Sequence, residues 1–238
     1  MKKVALLAVI LASLACTSPN DGSSQSFSHF VPTTVSATAN LPYGLLYDQL
    51  RLEQSGLRRE VFAYALRGWL KITGAKPVLT IADLSQPSNR KRLYVVDLLH
   101  KKLLFNTYVS HGRNSGDLRA SRFSNTQSSF QSSLGFYQTL NPYMGKHGLS
   151  LQLRGLERGF NDNAYNRNIV LHGADYVCED FIRKTGRLGR SQGCPAVPYA
   201  DSKGIINAVK GGSCLFVYSP DRDYLKKSTY LADAVASL

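Results

Sequence analysis

Beyond Gly74 the sequence breaks into short apolar runs separated by polar or glycine-bearing turns, and this spacing restricts the chain's folds more than any other feature. The runs lie at 78–82, 93–98, 103–109, 134–140, 149–153, 169–171 and 214–218. They are long enough for strands and too short for helices, and they are bounded by turn residues. The runs at 93–98 and 103–109, joined across 99–102, predict an antiparallel hairpin. Within this region only 201–210, with Ile205, Ile206 and Val209 on one side, has a helical period, and Gly204 interrupts it. Upstream, Leu57, Val61, Ala65 and Trp69 recur every four positions beside Phe62, Leu66 and Leu70. That pattern predicts an amphipathic helix with Ser55 and Gly74 at its ends, and a shorter helix is expected around 47–52. The expected fold class is therefore mostly β, a sandwich or barrel over 76–238 preceded by one or two N-terminal helices within 41–75.

The N-terminus has the layout of a secretory signal over residues 1–15: Lys2 and Lys3, an apolar run at 4–14, then Ala15. Ser13-Leu14-Ala15-Cys16 sets Cys16 where lipoproteins are cleaved and acylated, so a lipid anchor in a membrane is expected if Cys16 is modified. Residues 16–40, rich in Ser, Thr, Asn and Pro, are expected to form a flexible tether. The expected location is the periplasm or cell envelope.

A formal charge of +13 would ordinarily point to nucleic acid. Export removes that partner and leaves anionic wall or lipid. With Cys16 processed, Cys178, Cys194 and Cys214 remain in an oxidising compartment. A disulfide between Cys178 and Cys214 would resolve the parity and leave Cys194 as a free, reactive thiol. No spacing matches a metal site, and no cofactor is expected.

Cys194 lies between Gly193 and Pro195, which biases its backbone toward extended geometry. Because Pro195 has no N–H, an oxyanion hole would draw on Cys194, Gly193 or a neighbouring strand. A catalytic thiol needs a nearby base. His29 lies in the tether and His100 at a hairpin turn, whereas His172 ends the run Ile169-Val170-Leu171 and precedes Gly173. Taken alone, these residues fit a Cys194–His172 pair and inert packing equally well.

A histidine-glycine at a strand end, about twenty residues, then serine-x-glycine-cysteine resembles the L,D-transpeptidase (YkuD-type) catalytic domain. The resemblance covers roughly 78–218 and includes Ser133-Leu134-Gly135-Phe136. A divergent murein L,D-transpeptidase branch is similar through His111-Gly112-Arg113-Asn114-Ser115-Gly116, Gly145-Lys146-His147-Gly148 and Gly193-Cys194-Pro195. It implies an L,D-transpeptidase-like β fold with a short helix after the cysteine, Cys194 as nucleophile and His172 as base. His172 would be oriented by a backbone carbonyl rather than by Asp175.

The implied reaction is acyl transfer on peptidoglycan tetrapeptide stems through a Cys194 thioester, taken by an amine in transpeptidation or by water in L,D-carboxypeptidase action. Two positions depart from the family pattern: Gln192 stands where histidine is usual, and Ala196 where arginine is usual. Arg190 or Arg187 is expected to substitute for that arginine. Ser191, Gln192 and Tyr137 are expected to line the cleft, with His111 and His147 as carboxylate binders or alternative bases. The competing functions are a non-catalytic wall-binding lipoprotein and a papain-like hydrolase, but no histidine follows Cys194 to serve the latter.

Overall fold

The computed structural model describes residues 43–232; the signal segment, the tether and Cys16 lie outside the described residues. All seven predicted runs form strands: β1 Val78–Asp83, β2 Leu93–Asp97, β3 Lys102–Thr107, β4 Gly135–Gly145, β5 Gly148–Gly155, β6 Val170–Ala174 and, last in the chain, β8 Cys214–Tyr218. Sequence periodicity missed β7, Ala196–Pro198, because three residues flanked by proline are too few to show a period. The strands form one mixed sheet in the order β3-β2-β1-β8-β4-β5-β6-β7, parallel at β1/β8 and β6/β7. At its edges, Ser110 N–H donates to Ala196 O at 2.8 Å and Ser191 N–H to His111 O at 3.0 Å. These bonds join the chain leaving β3 to the β7 side and curl the sheet toward a barrel.

Strands β4 and β5 form a long hairpin whose tip is Lys146-His147. Its register shifts between Thr139 and Pro142, where a proline without an N–H is tolerated because the ladder is already interrupted.

Helix α1, Tyr43–Gln49, starts four residues earlier than expected, and the chain then turns through Arg51 at φ 51°. Helix α2, Arg59–Leu70, buries Val61, Phe62, Ala65 and Trp69 as its period demands. Its N-cap is Arg58 rather than Ser55, and Gly74 takes φ 71° in the turn beyond Lys71 rather than capping the helix. Helix α4, Tyr199–Val209, follows the cysteine as expected and buries Ile205, Ile206 and Val209. Two short helices were not foreseen: α3, Glu179–Thr185, which buries no residue, and α5, Arg222–Lys227, capped by the Asp221 side chain. The buried Glu157 carboxylate anchors α5 and its exit, accepting from Phe136 N–H at 2.7 Å, Tyr224 O–H at 2.9 Å and the Ser228 hydroxyl.

The expected Cys178–Cys214 disulfide is not formed; both thiols, like Cys194, are free. Cys214 begins β8 inside the sheet while Cys178 follows β6, and β4 and β5 lie between those strands. A bridge requires Cα atoms within about 7 Å of each other.

Helix α2 meets the sheet at Gly68, where a Cβ would fall 2.0 Å from the Phe136 ring. Alanine raises helix propensity by about 1 kcal/mol over glycine, but overpacking costs about 1–3 kcal/mol. Gly68→Ala should therefore lower Tm by several degrees in a thermal melt, and a rise would show that the ring yields freely.

Candidate active site

The parallel pairing of β6 with β7 sets His172 opposite Ala196, Gly173 opposite Val197 and Ala174 opposite Pro198. Continued two residues back, this register brings Cys194 beside Val170, on the same face of β6 as His172. The contacts agree: Val170 N–H donates to Cys194 Sγ at 3.5 Å, and the thiol points to Asn168 O at 3.6 Å. Asn168 holds φ 54°, a left-handed conformation that asparagine tolerates better than most residues.

The Ser191–Cys194 turn is tied internally, with the Ser191 hydroxyl donating to Cys194 O at 2.6 Å and Gly193 N–H to Ser191 Oγ at 3.0 Å. Gly193 holds φ 121°, and a Cβ there would stand 2.8 Å from Gln131 O, so glycine is required on both counts. Its N–H is already engaged by Ser191 Oγ, which leaves the Gln192 and Cys194 amides as the turn's candidate donors toward an oxyanion.

His172 is 2% exposed. Its Nδ1 lies 2.8 Å from Gly173 O, the backbone carbonyl orientation anticipated above. With the Nδ1 proton donated there, Nε2 keeps its lone pair. A Cβ at Gly173 would meet the Tyr199 ring at 2.6 Å and Ser202 Oγ at 2.9 Å, so the glycine lets α4 pack against the histidine strand.

Burial pushes the Cys194 thiol up, opposed by the Val170 amide and the charges of Arg167 and Lys146. Burial likewise pulls the His172 imidazole down, with His147 and Lys146 adding to the effect and Gly173 O opposing it. Both shifts favour the uncharged forms, a thiol and a neutral imidazole.

Both face a cleft of about 720 Å³, also lined by Ser191, Gln192, Arg190 and His147. His147, at the hairpin tip, stacks on His172 with centroids 4.3 Å apart. Arg113, whose guanidinium lies 4.0 Å over the Phe130 ring, lines the same cleft. From the long polar segment 111–131, Arg113, Gln127, Ser128 and Phe130 line this cleft.

Two expected site residues belong elsewhere. Tyr137 is buried, and its hydroxyl donates to Ser133 O at 2.8 Å, so it is a core side chain. His111 is wholly buried against the Arg92 guanidinium, 2.8 Å from its Nδ1, and burial and that charge hold its pKa down at about 3. It serves as a neutral structural acceptor. Ala196 packs with Ala174, Val177 and Leu188, where an arginine would not fit. Arg187 and Arg190 both pair with Asp117, at 2.7 and 3.2 Å, and so brace the 113–117 loop. Arg167 and Asn168 were missed; the only sequence signal was a polar pair just before an apolar strand. Among the described residues no three His, Cys, Asp or Glu side chains gather as a metal site.

A thiol held neutral should alkylate with iodoacetamide at a rate still rising past the ordinary thiol value of about 8.5. Peptide-resolved mass spectrometry of Cys194 across pH reads this directly; a rate already level at pH 6–7 would mean a preformed ion pair.

No curated protein matches the chain. Among solved structures it is similar to an L,D-transpeptidase from Mycobacterium smegmatis, with 14% identity, 60% of this chain and 59% of that one covered, and a TM-score of 0.36. For an L,D-transpeptidase from Stackebrandtia nassauensis the figures are 19%, 66%, 65% and 0.36. For L,D-transpeptidase 3 from Mycobacterium tuberculosis they are 15%, 60%, 61% and 0.37. The chain thus spans less than two thirds of the length of each. A family model described as L,D-transpeptidase catalytic domain matches residues 53–218, which include β1 through β8 and both Cys194 and His172, and the chain belongs to that family.

Proposed function

We propose that the chain is a peptidoglycan-modifying cysteine acyltransferase that forms a Cys194 thioester on tetrapeptide stems, with His172 as base. The observation that carries this is the adjacency of β6 and β7, which directs a thiol and a backbone-oriented imidazole into one cleft. Lys146 and Arg113 line the same cleft, a lining suited to the carboxylates of a stem peptide.

In this mechanism His172 Nε2 takes the thiol proton as sulfur attacks the carbonyl of the third, diamino-acid residue. The Gln192 and Cys194 amides are the turn's candidate donors toward the developing oxyanion. Collapse of the tetrahedral intermediate breaks the bond to the terminal D-alanine, and the imidazolium returns its proton to the leaving amine. An amine of a second stem then takes the acyl group, giving a cross-link, or water does, giving L,D-carboxypeptidase action.

The N-terminal layout supports export, with a lipid anchor if Cys16 is acylated. No helix among the described residues is long and apolar enough to cross a membrane.

Incubation with tetrapeptide muropeptides, followed by mass spectrometry, tests the proposal. Wild type should release D-alanine, with dimers if transfer dominates and without them if hydrolysis does. Cys194→Ala should release none, and His172→Ala should fall by about 10²–10⁴-fold. An intact substrate with wild type would mark a wall-binding protein instead. Because burial lowers the His172 pKa, its neutral form persists to lower pH, so the acid limb of kcat/KM should lie below the free imidazole value of about 6.5.

A further inference from the structure

We propose that Arg167 is a positioning residue for the nucleophile: its guanidinium, buried without a carboxylate, anchors the 124–133 loop behind the cysteine turn and favours negative charge at Cys194 Sγ. This rests on the reading of Cys194 and His172 as nucleophile and base.

Arg167 is 9% exposed. Nη1 donates to Ser124 O at 2.8 Å and to the Ser133 hydroxyl, and Nη2 donates to Ser129 Oγ at 3.1 Å and Gln131 O at 2.8 Å. Every one of these acceptors is neutral. Arg187 and Arg190 share Asp117, whereas no ion pair to Arg167 is formed among the described residues. A cation withdrawn from water without a counter-ion is unfavourable, and neutral acceptors offset that only in part. Such a group gains most when an anion forms beside it.

The anion's place is adjacent. Nη2 stands 3.4 Å from where a Gly193 Cβ would be, and Gln131 O, which binds Nη2, stands 2.8 Å from that same point. Along the chain, the residue after Arg167 offers its carbonyl to the thiol, and Val170 offers its N–H to the sulfur. The stretch 167–170 thus supplies a proton acceptor, an amide donor and a positive charge to one atom.

When catalysis begins, the S–H bond breaks, an N–H bond forms at His172 Nε2, and net charge is unchanged. Sulfur becomes negative and the imidazole positive. Arg167 and Cys194 each shift the other toward its charged form, whereas the charges acting on His172 are those of His147 and Lys146. The guanidinium therefore assists the sulfur side of the transfer.

The test is the pH profile of iodoacetamide alkylation at Cys194 in the full chain, which needs no substrate turnover and so reads Arg167 even if muropeptides are left intact. Arg167→Gln should move the profile to higher pH and slow alkylation at pH 8 at least about threefold, since one unit of thiol pKa is tenfold in thiolate. Arg167→Lys should stay near wild type in profile. Both should lower Tm, because both lose loop contacts. Ser129→Ala, which removes one loop contact and keeps the charge, should leave the profile in place. Should the Gln chain not fold, Arg167→Met takes its place. A neutral variant that folds and matches wild type overturns the proposal, as does a Lys variant shifted as far as the neutral one.

Discussion

Everything at the site depends on the hydrogen bonding between two very short parallel strands, β6 and β7. Three register pairs, His172 to Ala196 through Ala174 to Pro198, decide that a cysteine about twenty residues further along the chain returns beside the strand carrying its histidine. Parallel strands need a crossover between them, and here it contains the exposed helix α3 and the arginines that hold Asp117. A slip of one residue would turn Cys194 away from the face His172 occupies. The glycines around the pair serve that approach: Gly173 admits α4 on one side, and Gly193 admits the Gln131 carbonyl on the other.

That close approach sets the electrostatics. The packing around β6 and β7 removes water from both thiol and imidazole, and desolvation disfavours each charged form. Both shifts favour the uncharged thiol and imidazole. Around the pair the Val170 amide, Arg167 and Lys146 favour the thiolate and the Gly173 carbonyl favours the imidazolium, which Lys146 opposes.

Strand existence was legible because β runs bounded by turns leave a period in the chain, and α2 was legible because Val61, Ala65 and Trp69 repeat every four positions. What failed to leave a period was not foreseen. Helix α3 buries nothing, and β7 is three residues long. The cap at Ser55 was misplaced because the turn before the helix is set by packing of Leu50, Leu52 and Leu57 in the core rather than by local preference, and at the other end the helix stops at Leu70, before Gly74 is reached. Tyr137 and His111 were misread for a related reason. Residue type announces a capacity for chemistry, but exposure decides whether substrate can reach it, and both are sealed in the interior.

The sequence by itself determined most of the element types and, through the spacing of His172-Gly173 and Ser191 to Cys194, the family, because these are carried by periodicity and by short motifs. Tertiary structure alone decided that Cys178 and Cys214 stay apart, that Ala196 sits where no arginine fits, and that Arg167 stands behind the cysteine turn. Each of these is a relation between segments distant along the chain. Such relations are created by strand pairing and burial, and no local pattern of residues records them.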